Sequence, residues 1–208
     1  MNLMEDLLDR IYRPIRNKAQ LFRHKWMDKF VFIHINKTGG TSIAKALNIP
    51  PKHNTALEKI EEIGRKEWND RFTFAVVRNP WDKVVSHYYY RVQTNQTDLG
   101  SNQIDFQEWV KRVYLDKSLP YYDKPKMFMP QINWVSDAEG KIIVDHVCRF
   151  ESLEADFRKV CEHLNIVYAL PHLKSSKRGN YRDYYDAETQ GIVAEWYSQD
   201  IEKFNYSF

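Results

Sequence analysis

Phe30 to Leu47 (FVFIHINKTGGTSIAKAL) constrains the fold of this chain more than any other stretch. An apolar, β-branched run, Phe30-Val31-Phe32-Ile33-His34-Ile35, reads as a buried parallel strand. It breaks at Asn36-Lys37-Thr38-Gly39-Gly40-Thr41-Ser42, and Ile43-Ala44-Lys45-Ala46-Leu47 then begins a helix. Strand, glycine turn and helix in succession aim backbone N–H groups and the positive end of a helix dipole at an anion. Gly39 and Gly40 admit positive φ and let a phosphate approach the backbone closely. Thr38, Thr41 and Ser42 supply hydroxyls, and Lys37 a charge. This is a phosphate cradle but not the Walker A loop G-x-x-x-x-G-K-[ST], because the lysine precedes the glycines and the leading glycine is missing.

At 208 residues, 43% hydrophobic and 28% charged, the chain can bury the core of one α/β domain. A net charge of +3 is too mild to argue for nucleic acid, but suits an anionic ligand where charges converge. Cys148 and Cys161 have no metal-ligand spacing, cannot build a disulfide framework, and read as reduced core residues. There is no apolar run of about 18 residues and no N-terminal h-region, so a cytoplasmic protein is expected.

A second strand, Phe72 to Val77, runs into Arg78-Asn79-Pro80-Trp81-Asp82. Asn79 as N-cap, Pro80 behind it and Asp82 in the first turn make a strong helix start. Arg78 therefore lies at the carboxyl edge of a parallel strand, where open α/β sheets place their ligands. Ser86 follows about two turns into the helix. An arginine there can clamp a phosphate with two parallel, charge-assisted hydrogen bonds.

Lys37-Thr38-Gly39-Gly40-Thr41-Ser42 resembles the 5′-phosphosulfate loop of sulfotransferases that use 3′-phosphoadenosine 5′-phosphosulfate (PAPS). Coming after a strand ending His-Ile, it is similar to the carbohydrate sulfotransferase branch. That branch usually has proline where this chain has Asn36, so a slightly different opening turn is expected. Arg78 and Ser86 match the family's 3′-phosphate motif. The resemblance runs from about Phe30 to Phe208 and includes Gln131-Ile132-Asn133-Trp134-Val135, to which no role is attached, and the unit Arg149-Phe150-Glu151-Ser152-Leu153. It implies a mostly parallel sheet flanked by helices, the P-loop-like sulfotransferase fold. The implied activity is sulfuryl transfer from PAPS to an acceptor hydroxyl, a carbohydrate first, with PAP as product and no metal. It further implies that Lys37 offsets charge on the leaving oxygen. His53, in Lys52-His53 between the two nucleotide motifs, resembles the family's general base; a surface-loop histidine is the other reading, and Glu58 the fallback base. A late basic loop, Lys174 to Tyr185 with Lys177, Arg178 and Gly179, resembles the loop that closes the nucleotide site.

The division expected is a basic N-terminal segment, residues 1–29, and a sulfotransferase domain, residues 30–208. From Arg10 to Lys29 seven Lys/Arg face one acid, Asp28, which fits a solvated edge helix or contact with a membrane surface or anionic acceptor. The aromatics between Thr94 and Pro130 suit either an acceptor cleft or a small satellite core. Ile142 to Phe150 reads as a third strand, with a stripe of Leu153, Phe157, Val160, Cys161 and Leu164 on the helix after it. Taken alone, Ile142-Ile143-Val144-Asp145 could be misread as a Walker B strand, and with the Gly39-Gly40 loop it supports a kinase reading that the misplaced lysine and missing Walker A argue against. A P-loop-type nucleotide kinase and a non-catalytic binder of nucleotides or sulfated glycans are thus the alternatives. Oligomeric state is not readable.

Overall fold

Three short strands run in parallel through the molecule: β1 (Phe30–Ile33), β2 (Phe72–Val77) and β3 (His146–Arg149), with β2 in the centre and β1 and β2 the more deeply buried. The structure, a computed structural model, describes residues 22–23, 27–170 and 179–208. Phe30 pairs with Phe72 and Ile33 with Ala75; on the other side Phe74 pairs with His146 and Val77 with Arg149. All three carboxyl ends therefore open on one edge.

Between and after the strands lie α1 (Gly40–Ala46), α2 (Ala56–Ile63), α3 (Arg65–Asn69), α4 (Pro80–Gln93) and α5 (Phe106–Val110), which continues as a π-helical turn. They are followed by α6 (Pro125–Phe128), α7 (Ile132–Val135), α8 (Leu153–Leu164), α9 (Ala187–Trp196) and α10 (Ser198–Phe204). Side chains alternate across the sheet with the strand period of two. Val31, Ile33, Ala75 and Val77 pack with Ile63, Trp68, Trp134 and Phe204. Phe30, Phe32, Phe74, Val76 and Cys148 pack with Ile43, Phe157 and Val160 on the other face. Helices cover both faces, as the sequence led us to expect.

A third cluster settles the aromatic insert. Trp109, Tyr114 and Phe128 are buried with Trp81, Val84 and Tyr88 of α4 and with Val193 and Tyr197. The insert builds a core with α4 and α9, and Tyr121 and Tyr122 pack against it. Burying such rings stabilises the fold by roughly 1.5–3 kcal/mol each.

One strand boundary differs from expectation, and two helical stretches are interrupted. The third strand is shorter, because Ile142 bridges back to Ser136 and Ile143 N–H bonds to Val135 O at 2.9 Å. The charged stretch Ala56 to Asn69 forms two helices, α2 and α3, that meet at Gly64 (φ 92°). At the end of the chain α9 and α10 meet at Tyr197, whose buried hydroxyl donates to Phe128 O at 2.9 Å.

Of the basic N-terminal segment, Arg23 is described: its Nη2 donates to Leu47 O and Asn48 O at 2.9 and 2.8 Å, at the carboxyl end of α1 where a cation is favoured. Residues 1–21 and the loop residues Lys177 and Arg178 lie outside the described residues. Among the described residues, no helix is long and apolar enough to cross a membrane.

Candidate active site

The loop between β1 and α1 turns on two left-handed residues, Lys37 (φ 65°) and Gly39 (φ 82°). Gly39 is also closely packed: a Cβ there would stand 2.9 Å from Leu153 Cδ2 and 3.1 Å from Phe150 Cδ2. At Gly40 a Cβ would overlap the His34 ring. Ser42 N–H closes the first turn onto Gly39 O at 3.0 Å, and no side chain caps α1. Thr41 is exposed.

Thr38 departs from expectation. Its side chain is fully buried and its hydroxyl donates to Ile35 O at 3.0 Å, so it shapes the loop instead of presenting a donor to a ligand. Any part Thr38 plays in holding an anion falls to its backbone N–H.

Arg78 joins this loop to β2 and α4. Its Nε and Nη2 both reach Asp82 Oδ2 at 2.7 Å, Nη1 donates to Lys37 O at 3.0 Å, and the guanidinium lies 3.8 Å from the Phe150 ring centre. Lys37 Nζ in turn sits 4.1 Å from the centre of the Tyr90 ring. Asp82, Ser86 and Tyr90 are spaced i, i+4, i+8, on one face of α4. Ser86 therefore lies on the stripe between the two places where α4 meets Arg78 and Lys37. The helix starts as its sequence requires: Asn79 Oδ1 accepts from Trp81 and Asp82 N–H. Asn79 Nδ2 reaches Tyr181 OH at 3.4 Å, which brings the end of the late basic loop, two residues past the exposed Gly179, to the side of Arg78.

His53 is half-buried at the exit of β1, with Nδ1 2.8 Å from His34 O. A carbonyl only accepts, so Nδ1 is the donor, and in the neutral ring Nε2 is the nitrogen left to accept a proton. The His34 ring, 4.3 Å away, is buried; burial and His53 lower its pKa to about 3. Glu58 is less suited to act as a base. It accepts from Thr55 N–H in the capping box of α2 and pairs with Lys126. Burial works against the charged form, but the bonds from Lys126 and Thr55 hold Glu58 below the ordinary carboxylate range.

The structure also rules against reading Asp145 as a Walker B aspartate. Asp145 Oδ2 accepts from Thr73 N–H and Thr73 Oγ1 at 2.8 Å, at the amino-terminal end of the sheet. The loop and Arg78 stand at the opposite end, so this carboxylate cannot serve a magnesium ion beside them.

Sequence reasoning passed over Phe150, Tyr90 and Gln131 as parts of the site. Phe150 was discoverable as the residue following β3, hence on the ligand-bearing edge. Gln131 stood in a segment singled out without a role.

The family model described as the sulfotransferase family matches residues 21–207. An uncharacterized protein of Archaeoglobus fulgidus is 31% identical over 121 residues, covering 58% of this chain and 90% of that protein. Mouse sulfotransferase SULT7A1 complexed with PAP, a solved structure, aligns with 12% identity over 90% of each chain at a TM-score of 0.45.

Proposed function

The chain belongs to the sulfotransferase family, and from that premise we propose that it transfers a sulfuryl group from PAPS to an acceptor hydroxyl, most naturally on a carbohydrate. The observation that carries this reading is the bond from Arg78 Nη1 to Lys37 O at 3.0 Å, which brings the two nucleotide motifs into one site.

In this reading Arg78 and Ser86, with the late loop of Lys177, Arg178 and Gly179, hold the 3′-phosphate. The backbone of Thr38 to Ser42, the Thr41 and Ser42 hydroxyls and Lys37 hold the phosphosulfate. His53 Nε2 takes the proton of the acceptor hydroxyl as its oxygen bonds to sulfur, and Lys37 offsets the charge gathering on the departing phosphate oxygen. PAP leaves as the sulfur–oxygen bond breaks. The carbohydrate acceptor rests on the branch that the His-Ile strand end and the loop resemble. The free, buried thiols of Cys148 and Cys161 support a cytoplasmic setting. We assign residues 30–208 to the transferase domain and residues 1–29 to a basic N-terminal segment.

The test is incubation with sulfur-labelled PAPS and a panel of glycan and small-molecule hydroxyl acceptors. Label on an acceptor, with PAP released in equal amount, is the expected result. PAP binding without transfer to any acceptor would make the chain a nucleotide binder and overturn the proposal.

A further inference from the structure

We propose that Gln131, oriented by Asp200, is the positioning residue that sets Arg78 for the 3′-phosphate, an inference that rests on the reading of Arg78 above. The hydrogen-bond ladder of β2 ends at Val77, one residue short of Arg78. The Gln131 side chain extends it. Its Oε1 accepts from Arg78 N–H and its Nε2 donates to Arg78 O, both at 2.8 Å, so one amide holds both backbone groups of the arginine.

Asp200 fixes which way that amide faces. Its Oδ2 accepts from Gln131 N–H at 2.8 Å and from Gln131 Nε2 at 3.2 Å, and its Oδ1 accepts from Ile132 N–H at 2.8 Å. A carboxylate only accepts, so the amide nitrogen must face Asp200 and the amide oxygen the Arg78 N–H. Gln131 and Asp200 are fully buried. The side-chain bonds of Arg78 to Asp82 and Lys37 O then aim a guanidinium whose Cα is already fixed. Displacing such an arginine by a fraction of an ångström removes the bidentate fit while leaving its charge nearby.

The experiment compares affinity for PAP with affinity for adenosine 5′-phosphate, which lacks the 3′-phosphate, by calorimetry. Gln131→Met keeps the volume and removes both bonds. It should lower the PAP preference roughly ten-fold, and adding it to Arg78→Ala should lower the preference no further. Gln131→Glu serves as a second variant should the first not fold. It should lose the preference at neutral pH and regain it, relative to wild type at the same pH, once acid protonates the introduced carboxyl into a donor. A purely structural role would weaken both nucleotides alike. That result, or an unchanged preference in Gln131→Met while Arg78→Ala abolishes it, overturns the proposal. An unchanged preference in Arg78→Ala itself overturns the reading of Arg78, and this inference with it.

Discussion

The Nδ1 of His53 lies 2.8 Å from the carbonyl oxygen of His34, three residues before Lys37, which ties the proposed base to the strand that ends in the phosphate loop. His53→Ala should leave PAP affinity nearly unchanged, because the imidazole acts on the acceptor alone. Single-turnover transfer should fall by about 10²–10⁴-fold. A variant within a few-fold of wild type would shift the assignment to Glu58.

Lys37 meets both the nucleotide and the leaving oxygen in our account. Lys37→Ala should therefore lower PAP affinity, by roughly ten- to a hundred-fold for a charged contact, and lower turnover at saturating PAPS as well. Calorimetry beside single-turnover rates separates the two effects; a loss confined to affinity would remove Lys37 from the chemistry.

Gly39 and Gly140 offer a controlled comparison, since both have positive φ (82° and 78°). An added Cβ meets Leu153 and Phe150 at Gly39 and nothing within 4 Å at Gly140. Gly140→Ala should cost about 1–2 kcal/mol, the backbone penalty alone. Gly39→Ala should cost about 1–3 kcal/mol more through crowding, and should also weaken PAP binding. Equal unfolding midpoints in urea would contradict the packing described for the loop.

Acid should destabilise the fold through two buried histidines. Burial, with His53 beside it, holds His34 at about 3, and burial, with Lys83, Arg91, Lys37 and Lys124 adding to it, holds His87 well below its ordinary value. The unfolded chain takes up these protons near pH 6.5, as imidazoles ordinarily do, while the folded chain does not, so stability present above that pH is lost as pH falls toward 3. Between about pH 6.5 and 4.5 His34 should contribute a loss of about 2–3 kcal/mol, and His87 a loss in the same direction. Urea unfolding across that window should show a shallower pH slope in His87→Phe, whose ring suits the neighbouring Trp109 and Phe128. An unchanged slope would show that His87 does not titrate as described.

The sheet and its two strand-to-helix turns were legible because each is local in sequence. A buried strand, a turn and a helix start lie within a dozen residues at Lys37 and again at Arg78. What joins them was not. Gln131 lies 53 positions after Arg78 and Asp200 lies 69 after Gln131, and no periodicity relates residues that far apart. Thr38 misled because a hydroxyl in a phosphate-type loop looks like a donor to the ligand until the turn buries it. Asp145 kept a kinase alternative open because an apolar run ending in aspartate does not say which end of the sheet the aspartate occupies. The insert's aromatics were ambiguous because stacking on a sugar and packing in a core use the same residues.

Metal-free calorimetry with PAP, adenosine 5′-phosphate and ATP tests the nucleotide site most directly, followed by ATP with magnesium. A site reading the 3′-phosphate through Arg78 and Ser86 should bind PAP at least about ten-fold more tightly than adenosine 5′-phosphate without metal, a charged contact being worth roughly 1.5–3 kcal/mol. Arg78→Ala should erase that preference. Equal affinity for the two nucleotides, or binding of ATP only when magnesium is added, would contradict it.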